Sequence, residues 1–135
     1  MLYFTVDTNR KENTTMTINE SAENYLETIL MLSKEKPVVR SVDIAEALDF
    51  KKSSVSVAMK KLRENNYITV TKEGFIYLTD SGLEIAEMIY ERHELLCDWL
   101  VRLGVEKSVA AEDACRIEHV ISKESFEAIK AHANK

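Results

Sequence analysis

A chain of 135 residues holds one modest domain or two small units, and its 45% hydrophobic and 30% charged residues are the balance of a folded protein rather than a disordered one. Three Gly and one Pro are too few for a turn-rich all-β sandwich or barrel and point to helices joined by short connections. No stretch approaches the roughly 18 consecutive apolar residues of a spanning helix. The first fifteen residues lack a secretory signal, and Cys97 and Cys115 make no disulfide framework. A cytoplasmic protein with reduced thiols and no membrane partner is expected.

The net charge of −5 is unevenly spread. Residues 1–80 carry 11 basic and 12 acidic side chains, and residues 81–135 carry 7 and 11. Residues 51–63 hold Lys51, Lys52, Lys60, Lys61 and Arg63 with no acid. A basic stripe on a mildly acidic body is the local electrostatic footprint of a polyanion site. A solvated helix face has the same composition, so position in the fold must decide between them.

Residues 1–17 are polar and without helical period, and they are expected to form a loose arm in which Met16 rivals Met1 as the translation start. From Asn19 or Ser21, the 3–4 spacing of Tyr25, Leu26, Ile29, Leu30 and Leu32 predicts an amphipathic helix ending before Pro37. Ser41 is placed to cap a short helix carrying Val42, Ile44, Ala45 and Leu48. After a tight connection at Asp49-Phe50-Lys51, Ser53 or Ser54 opens a third helix. Val55, Met59 and Leu62 face inward there, and Ser56, Val57, Lys60 and Lys61 face outward. Asn65-Asn66 closes it. Tyr67–Thr71 and Phe75–Thr79, β-branched and aromatic, flank Lys72-Glu73-Gly74 as a hairpin. A long amphipathic helix runs from Thr79-Asp80-Ser81 to about Leu103 and stops at Gly104. A helix over Ala110–Ile121 follows, then a last one capped by Ser122 and running through Ile129.

Helix, helix, helix, strand, strand is the order of a winged helix-turn-helix, whose second paired helix enters the major groove. The expected fold is mainly α. A winged helix-turn-helix DNA-binding domain at 18–80 is followed by an all-helical domain at 81–135. On this frame the basic stripe lies on and just before the recognition helix. Ser53, Ser54, Ser56 and Val57 are the expected groove-facing residues, with Val57 or Ser56 able to meet a thymine methyl. Lys51, Lys52, Lys60 and Lys61 are expected to hold phosphates and set register, and Lys72 at the wing tip to add one more phosphate contact. Double-stranded DNA is the partner this predicts.

The second half contains Cys115-x-x-Glu118-His119. On a helix these offsets fall on one face, so thiolate, carboxylate and imidazole converge, a donor set for a first-row transition metal. His93 lies on the preceding long helix, where an antiparallel neighbour can bring it to that set. Glu23 and Glu27, four apart, share a face of the first helix. Each piece alone has an ordinary reading: Cys115 as a core cysteine, Glu118-His119 as an exposed pair, His93 as a packed histidine. No nucleophile elbow, His-Glu-x-x-His pair or phosphate loop is present, so an enzyme is not expected. A winged-helix regulator sensing an organic ligand or redox state, without metal activation, is the alternative.

Asp113-Ala114-Cys115-Arg116-Ile117-Glu118-His119-Val120-Ile121-Ser122 resembles the metal-binding helix of the diphtheria toxin repressor and manganese transport regulator family. Arg92-His93-Glu94-Leu95-Leu96 is similar to the matching part of that family's long linker helix. Ser21-Ala22-Glu23-Asn24-Tyr25-Leu26-Glu27-Thr28-Ile29 resembles its first helix, and Val42–Leu48 with Ser53-Ser54-Val55-Ser56 its helix-turn-helix. The likeness covers about residues 16 to 130. It implies a metal-activated repressor, homodimeric through its C-terminal helices, that binds a palindromic operator of metal-uptake genes. It also implies a two-domain version without the longer members' SH3-like third domain.

By the same resemblance His93, Cys115, Glu118 and His119 fall on ligand positions, and Glu27 matches a ligand of the manganese-type members. Asn24 stands where iron-type members have Met and manganese-type members Asp, and its side-chain oxygen can coordinate a hard cation. Cys97 and Ala111 replace the Glu and His of the iron-type ancillary site, which implies that this second site is weakened or altered. The implied cofactor is Fe²⁺ or Mn²⁺. The Cys115 thiolate tips the balance toward iron, and Co²⁺, Ni²⁺ or Zn²⁺ can substitute in vitro.

Overall fold

The computed structural model describes residues 20–134. The expected N-terminal arm, and with it the choice between Met1 and Met16, lies outside the described residues. The elements in chain order are α1 (Glu20–Glu35), α2 (Ser41–Leu48), α3 (Lys52–Glu64), β1 (Ile68–Val70), β2 (Ile76–Leu78), α4 (Asp80–Arg102), α5 (Lys107–Ile117) and α6 (Lys123–Ala133). The chain divides into two compact units within α4, between Glu87 and Met88. Among the described residues, no helix is long and apolar enough to cross a membrane.

In the first unit α1 packs on α2 and β2, α2 on α3, and α3 on β1. The apolar stripes predicted from spacing are the ones buried: Leu26 and Ile29 from α1, Ile44 and Ala45 from α2, and Val55, Met59 and Leu62 from α3, closed by Ile68 and Ile76 of the hairpin. Each of these side chains larger than Ala45 contributes about 1.5–3 kcal/mol by leaving water. Phe50 meets Tyr25 edge-to-face at 6.0 Å and 75°, which seats the α2–α3 turn on α1. Burial raises the Tyr25 hydroxyl above its usual pKa. Asp49 makes that turn in the left-handed region, φ 57°. Its short polar side chain tolerates this conformation better than a branched one would.

Ser41 does not cap α2. The N-cap is Arg40, whose N–H donates to the Asp43 carboxylate at 2.8 Å, so the third helical residue reaches back to the cap and Ser41 becomes the first residue of the helix. The Arg40 N–H holds the Asp43 carboxyl below its ordinary pKa, an effect partly offset by burial and reinforced by the Lys36 ammonium at 3.1 Å. A carboxyl depressed in the folded state stabilises at pH values above its unfolded pKa, near 4, and that stability is lost as pH falls through the folded value. Asp43→Asn should therefore cost about 1 kcal/mol at pH 7. The difference from wild type should shrink as urea denaturation is repeated at pH values below about 4.

β1 and β2 pair antiparallel with Ile68 opposite Leu78, Thr69 opposite Tyr77 and Val70 opposite Ile76. The strands are shorter than the β-branched runs suggested: Thr71 N–H still donates across the hairpin to Phe75 O at 3.0 Å, but the rest of the residue builds the turn. Its carbonyl accepts the Gly74 N–H at 2.9 Å, and its hydroxyl accepts the Phe75 N–H at 3.0 Å. Gly74 takes φ 86°, where a side chain would be strained. Ile76 N–H donates to Val39 O at 2.8 Å, tying the wing to the segment before α2.

In the second unit Leu96, Ala114 and Phe126 form the core of α4, α5 and α6, with Leu95, Trp99, Ile117, Ile121 and Ile129 packed around it. α4 ends at Arg102, before Gly104, as the spacing predicts. α5 is displaced toward the N-terminus of its expected span, running from Lys107 to Ile117 rather than from Ala110 to Ile121. Ser122 does cap α6, its hydroxyl accepting the Ser125 N–H at 3.0 Å. That helix continues to Ala133, whose carbonyl accepts from Arg102 Nη1 at 3.0 Å.

Candidate metal centre and nucleic-acid interface

Glu118 is the hinge of the candidate metal centre. It follows the last residue of α5 in helical conformation (φ −57°, ψ −28°), its N–H still donating to Ala114 O. The register of α5 thus carries one residue further, and Glu118 lies on the same face as Cys115, three positions earlier. Its side chain is 0% exposed. Oε2 lies 2.8 Å from His93 Nδ1, contributed by α4 from 25 residues upstream, and Oε1 lies 3.3 Å from His119 Nε2. One carboxylate is thus held between two imidazoles.

A wholly buried carboxylate costs several kcal/mol unless opposite charge or proton donors offset it. The His93 imidazole, at hydrogen-bond distance from Oε2, and the His119 imidazole beside Oε1 are the groups placed to do so. When they and the carboxylate are deprotonated, the same atoms present lone pairs to a divalent cation. Imidazole, carboxylate and a thiol one helical turn back form a set suited to Mn²⁺, Fe²⁺ and their neighbours rather than to Mg²⁺ or Ca²⁺. The residues present therefore fit a transition metal. Cys115 is half-buried, and neither cysteine is in a disulfide.

In the first unit, Glu27 is only 5% exposed on α1. Asn24, one turn earlier, is half-buried, with its carbonyl accepting the Thr28 hydroxyl at 2.8 Å.

One residue of the second unit was not singled out from sequence. Arg92 Nη1 donates to the carbonyls of Glu118 at 3.2 Å and Ile121 at 3.1 Å, and the guanidinium carbon stands 5.4 Å from the Phe126 ring centroid. An arginine beside His93 was visible in the chain. Nothing in its spacing pointed to carbonyls 26 and 29 residues away.

The candidate DNA surface is α3 and the wing. Lys51, Lys52, Ser53, Ser54, Ser56, Val57, Lys60 and Lys61 are all exposed, while Val55, Met59 and Leu62 anchor the helix from beneath. Val57 is 57% exposed, on the same outward face as the serines and lysines. Helix α3 begins at Lys52, with no acid in its first turn, so its positive dipole end and its lysines act in the same direction on an anion. Lys72 is exposed in the hairpin turn. Arg63, in the basic stripe though not among the expected contacts, is exposed as well.

Comparison with known proteins agrees with both halves. Residues 17–75 match the profile of the iron dependent repressor N-terminal DNA binding domain, and residues 79–135 that of the iron dependent repressor metal binding and dimerisation domain. The HTH-type transcriptional regulator MntR of Shouchella clausii is 38% identical over 109 residues, covering 81% of this chain and 76% of the relative. An uncharacterized HTH-type transcriptional regulator of Methanocaldococcus jannaschii is 34% identical over 121 residues, covering 87% of this chain and 96% of the relative. Among solved structures, a manganese-dependent transcriptional repressor in complex with manganese superposes with a TM-score of 0.77 at 29% identity. That match covers 84% of this chain, which spans only 52% of the solved one. These relatives are transcriptional regulators by description. With two profiles that account for both halves of its sequence, the chain belongs to the iron-dependent repressor family of metal-dependent, DNA-binding transcriptional repressors.

Proposed function

We propose that this protein is a cytoplasmic repressor whose binding of Fe²⁺ or Mn²⁺ enables a homodimer to bind a palindromic operator controlling metal-uptake genes. The observation that carries the reading is the Glu118 carboxylate, fully buried between His93 and His119. The proposed ligands are His93, Cys115, Glu118 and His119, with Asn24 and Glu27 on the strength of the first helix's resemblance and the burial of Glu27. The working domains are 18–80 for DNA and 81–135 for metal and dimerisation.

These residues would hold a divalent cation, whose positive charge would favour the ionised Glu118 carboxylate and Cys115 thiolate beside the neutral imidazoles of His93 and His119. Only an arrangement of the chain that satisfies the donors better than others gains population from this. Equal affinity for all arrangements would shift nothing. In a dimer the two α3 helices address successive major grooves, about one helical turn of DNA apart, which is why the operator is expected to be palindromic. Ser53, Ser54, Ser56 and Val57 then read base edges, while Lys51, Lys52, Lys60, Lys61 and Lys72 hold phosphates.

The test is binding of metal-stripped protein to DNA from upstream of its own gene, titrated anaerobically with Fe²⁺ and in parallel with Mn²⁺. Saturable binding that requires metal is expected, and the ratio of the two activating concentrations identifies the effector. Equal binding with and without a chelator would overturn the reading in favour of a metal-independent regulator. In the same assay Lys60→Ala should weaken binding to specific and random DNA alike and lower the slope of log affinity against log salt by about one unit.

A further inference from the structure

We propose that Arg92 is a positioning residue of the metal centre, holding the α5–α6 turn in the one conformation that aims Glu118 and His119 at His93. The inference rests on the metal reading of that site. Only a few residues separate Ile117, the end of α5, from Lys123, the start of α6, and within them lie Glu118 and His119. Carbonyls at a helix end have no intrahelical partner and carry the negative end of its dipole. Arg92 answers this at Glu118 O, 3.2 Å from its Nη1, and the same nitrogen reaches Ile121 O, just ahead of the α6 cap, at 3.1 Å, so a single donor brackets the turn from both sides.

The guanidinium is itself immobilised over the Phe126 ring, at 5.4 Å from the centroid, and Phe126 is a core residue of α6 at 2% exposure. Arg92 therefore links α4, the turn and α6, and it does so from the position next to His93. Its hold on the Glu118 backbone and the placing of His93 beside the Glu118 carboxylate, 2.8 Å apart, come from adjacent residues of one rigid helix. A ligand group whose backbone is fixed in this way loses less freedom when it binds. Partners that orient metal ligands typically contribute ten- to a hundredfold in affinity.

The experiment uses full-length, metal-stripped protein and Co²⁺ alone as probe, read by its visible d–d absorption, with Arg92→Met, Arg92→Lys and Glu118→Gln beside wild type. Methionine keeps an apolar stem against Phe126 but donates no hydrogen bond. Lysine restores a charged donor without the planar fork. Arg92→Met is expected to bind Co²⁺ about ten- to a hundredfold more weakly with altered band positions, and Arg92→Lys to recover a large part of both. A merely structural role would move the unfolding midpoint and leave the spectrum of the loaded protein unchanged. Wild-type bands that vanish in Glu118→Gln but persist unchanged in Arg92→Met would overturn the role of Arg92 alone. Absence of Co²⁺ bands in wild type would remove the metal reading, and this inference with it.

Discussion

Glu118→Gln should abolish metal-dependent operator binding while leaving a folded protein. Glutamine has nearly the same volume and can still accept from His93, so the 0% exposed position stays filled and hydrogen-bonded. What is lost is the negative charge, and with it the anionic donor between two imidazoles. We expect the metal concentration needed for half-maximal DNA binding to rise by more than about a hundredfold, since even residues outside the ligand set commonly contribute up to that much. His119→Ala should behave similarly. Fluorescence anisotropy with labelled promoter DNA measures the first effect, and circular dichroism checks the fold. Wild-type metal dependence in both variants would sink the assignment of this centre. Metal-independent DNA affinity, measured on random sequence at low salt, should be untouched, because the lysines of α3 are not altered.

The second large effect is on stability. A Cβ built on Gly82 would lie 2.0 Å from the carbonyl oxygen of Tyr67, a backbone atom that cannot rotate away. The same carbonyl accepts the Thr79 N–H at 3.0 Å. The Thr79 hydroxyl in turn donates to Asn66 O at 2.7 Å and accepts the Gly82 N–H at 3.1 Å. The start of α4 is thus stitched to the exit of α3, where Asn66 takes the left-handed φ of 64°. Relief of the clash requires these bonds to stretch together. Gly82→Ala is expected to cost about 3 kcal/mol, the upper end of overpacking penalties, despite alanine's better helix propensity. For a protein of this size that lowers Tm by roughly 10 °C, readable by calorimetry. A variant as stable as wild type would show that the approach of α4 to Tyr67 is looser than described.

The residues that spacing identified well are those whose role is local. Val55, Met59 and Leu62 recur at helical intervals, and a helix with such a stripe has one way to bury it, so the outward face with Ser56, Val57, Lys60 and Lys61 followed directly. Ser122 capped α6 because a hydroxyl at that point meets the backbone three residues on, whatever the rest of the chain does. The errors fell where neighbours compete. Ser41 was as good a cap by type as Ser122, but Asp43 reached the Arg40 N–H and took the role. Thr71 was as good a strand residue as Thr69, but its hydroxyl and carbonyl were drawn into the turn. In both cases residue type allowed two outcomes, and hydrogen-bond geometry chose one.

Sequence by itself determined the order of elements, the basic exposed face of α3 and the shared face of Cys115 and Glu118 at the end of α5, because periodicity within a single element places those residues regardless of partners. Tertiary structure decided what the chemistry of that shared face is. The approach of His93 to within 2.8 Å of Glu118 and the grip of Arg92 on the turn span 25 to 29 residues, and they exist only once α4, α5 and α6 share the core of Leu96, Ala114 and Phe126. A carboxylate becomes costly, and so demands partners, only when it is removed from water, and burial is a property of the packed unit rather than of any residue in it.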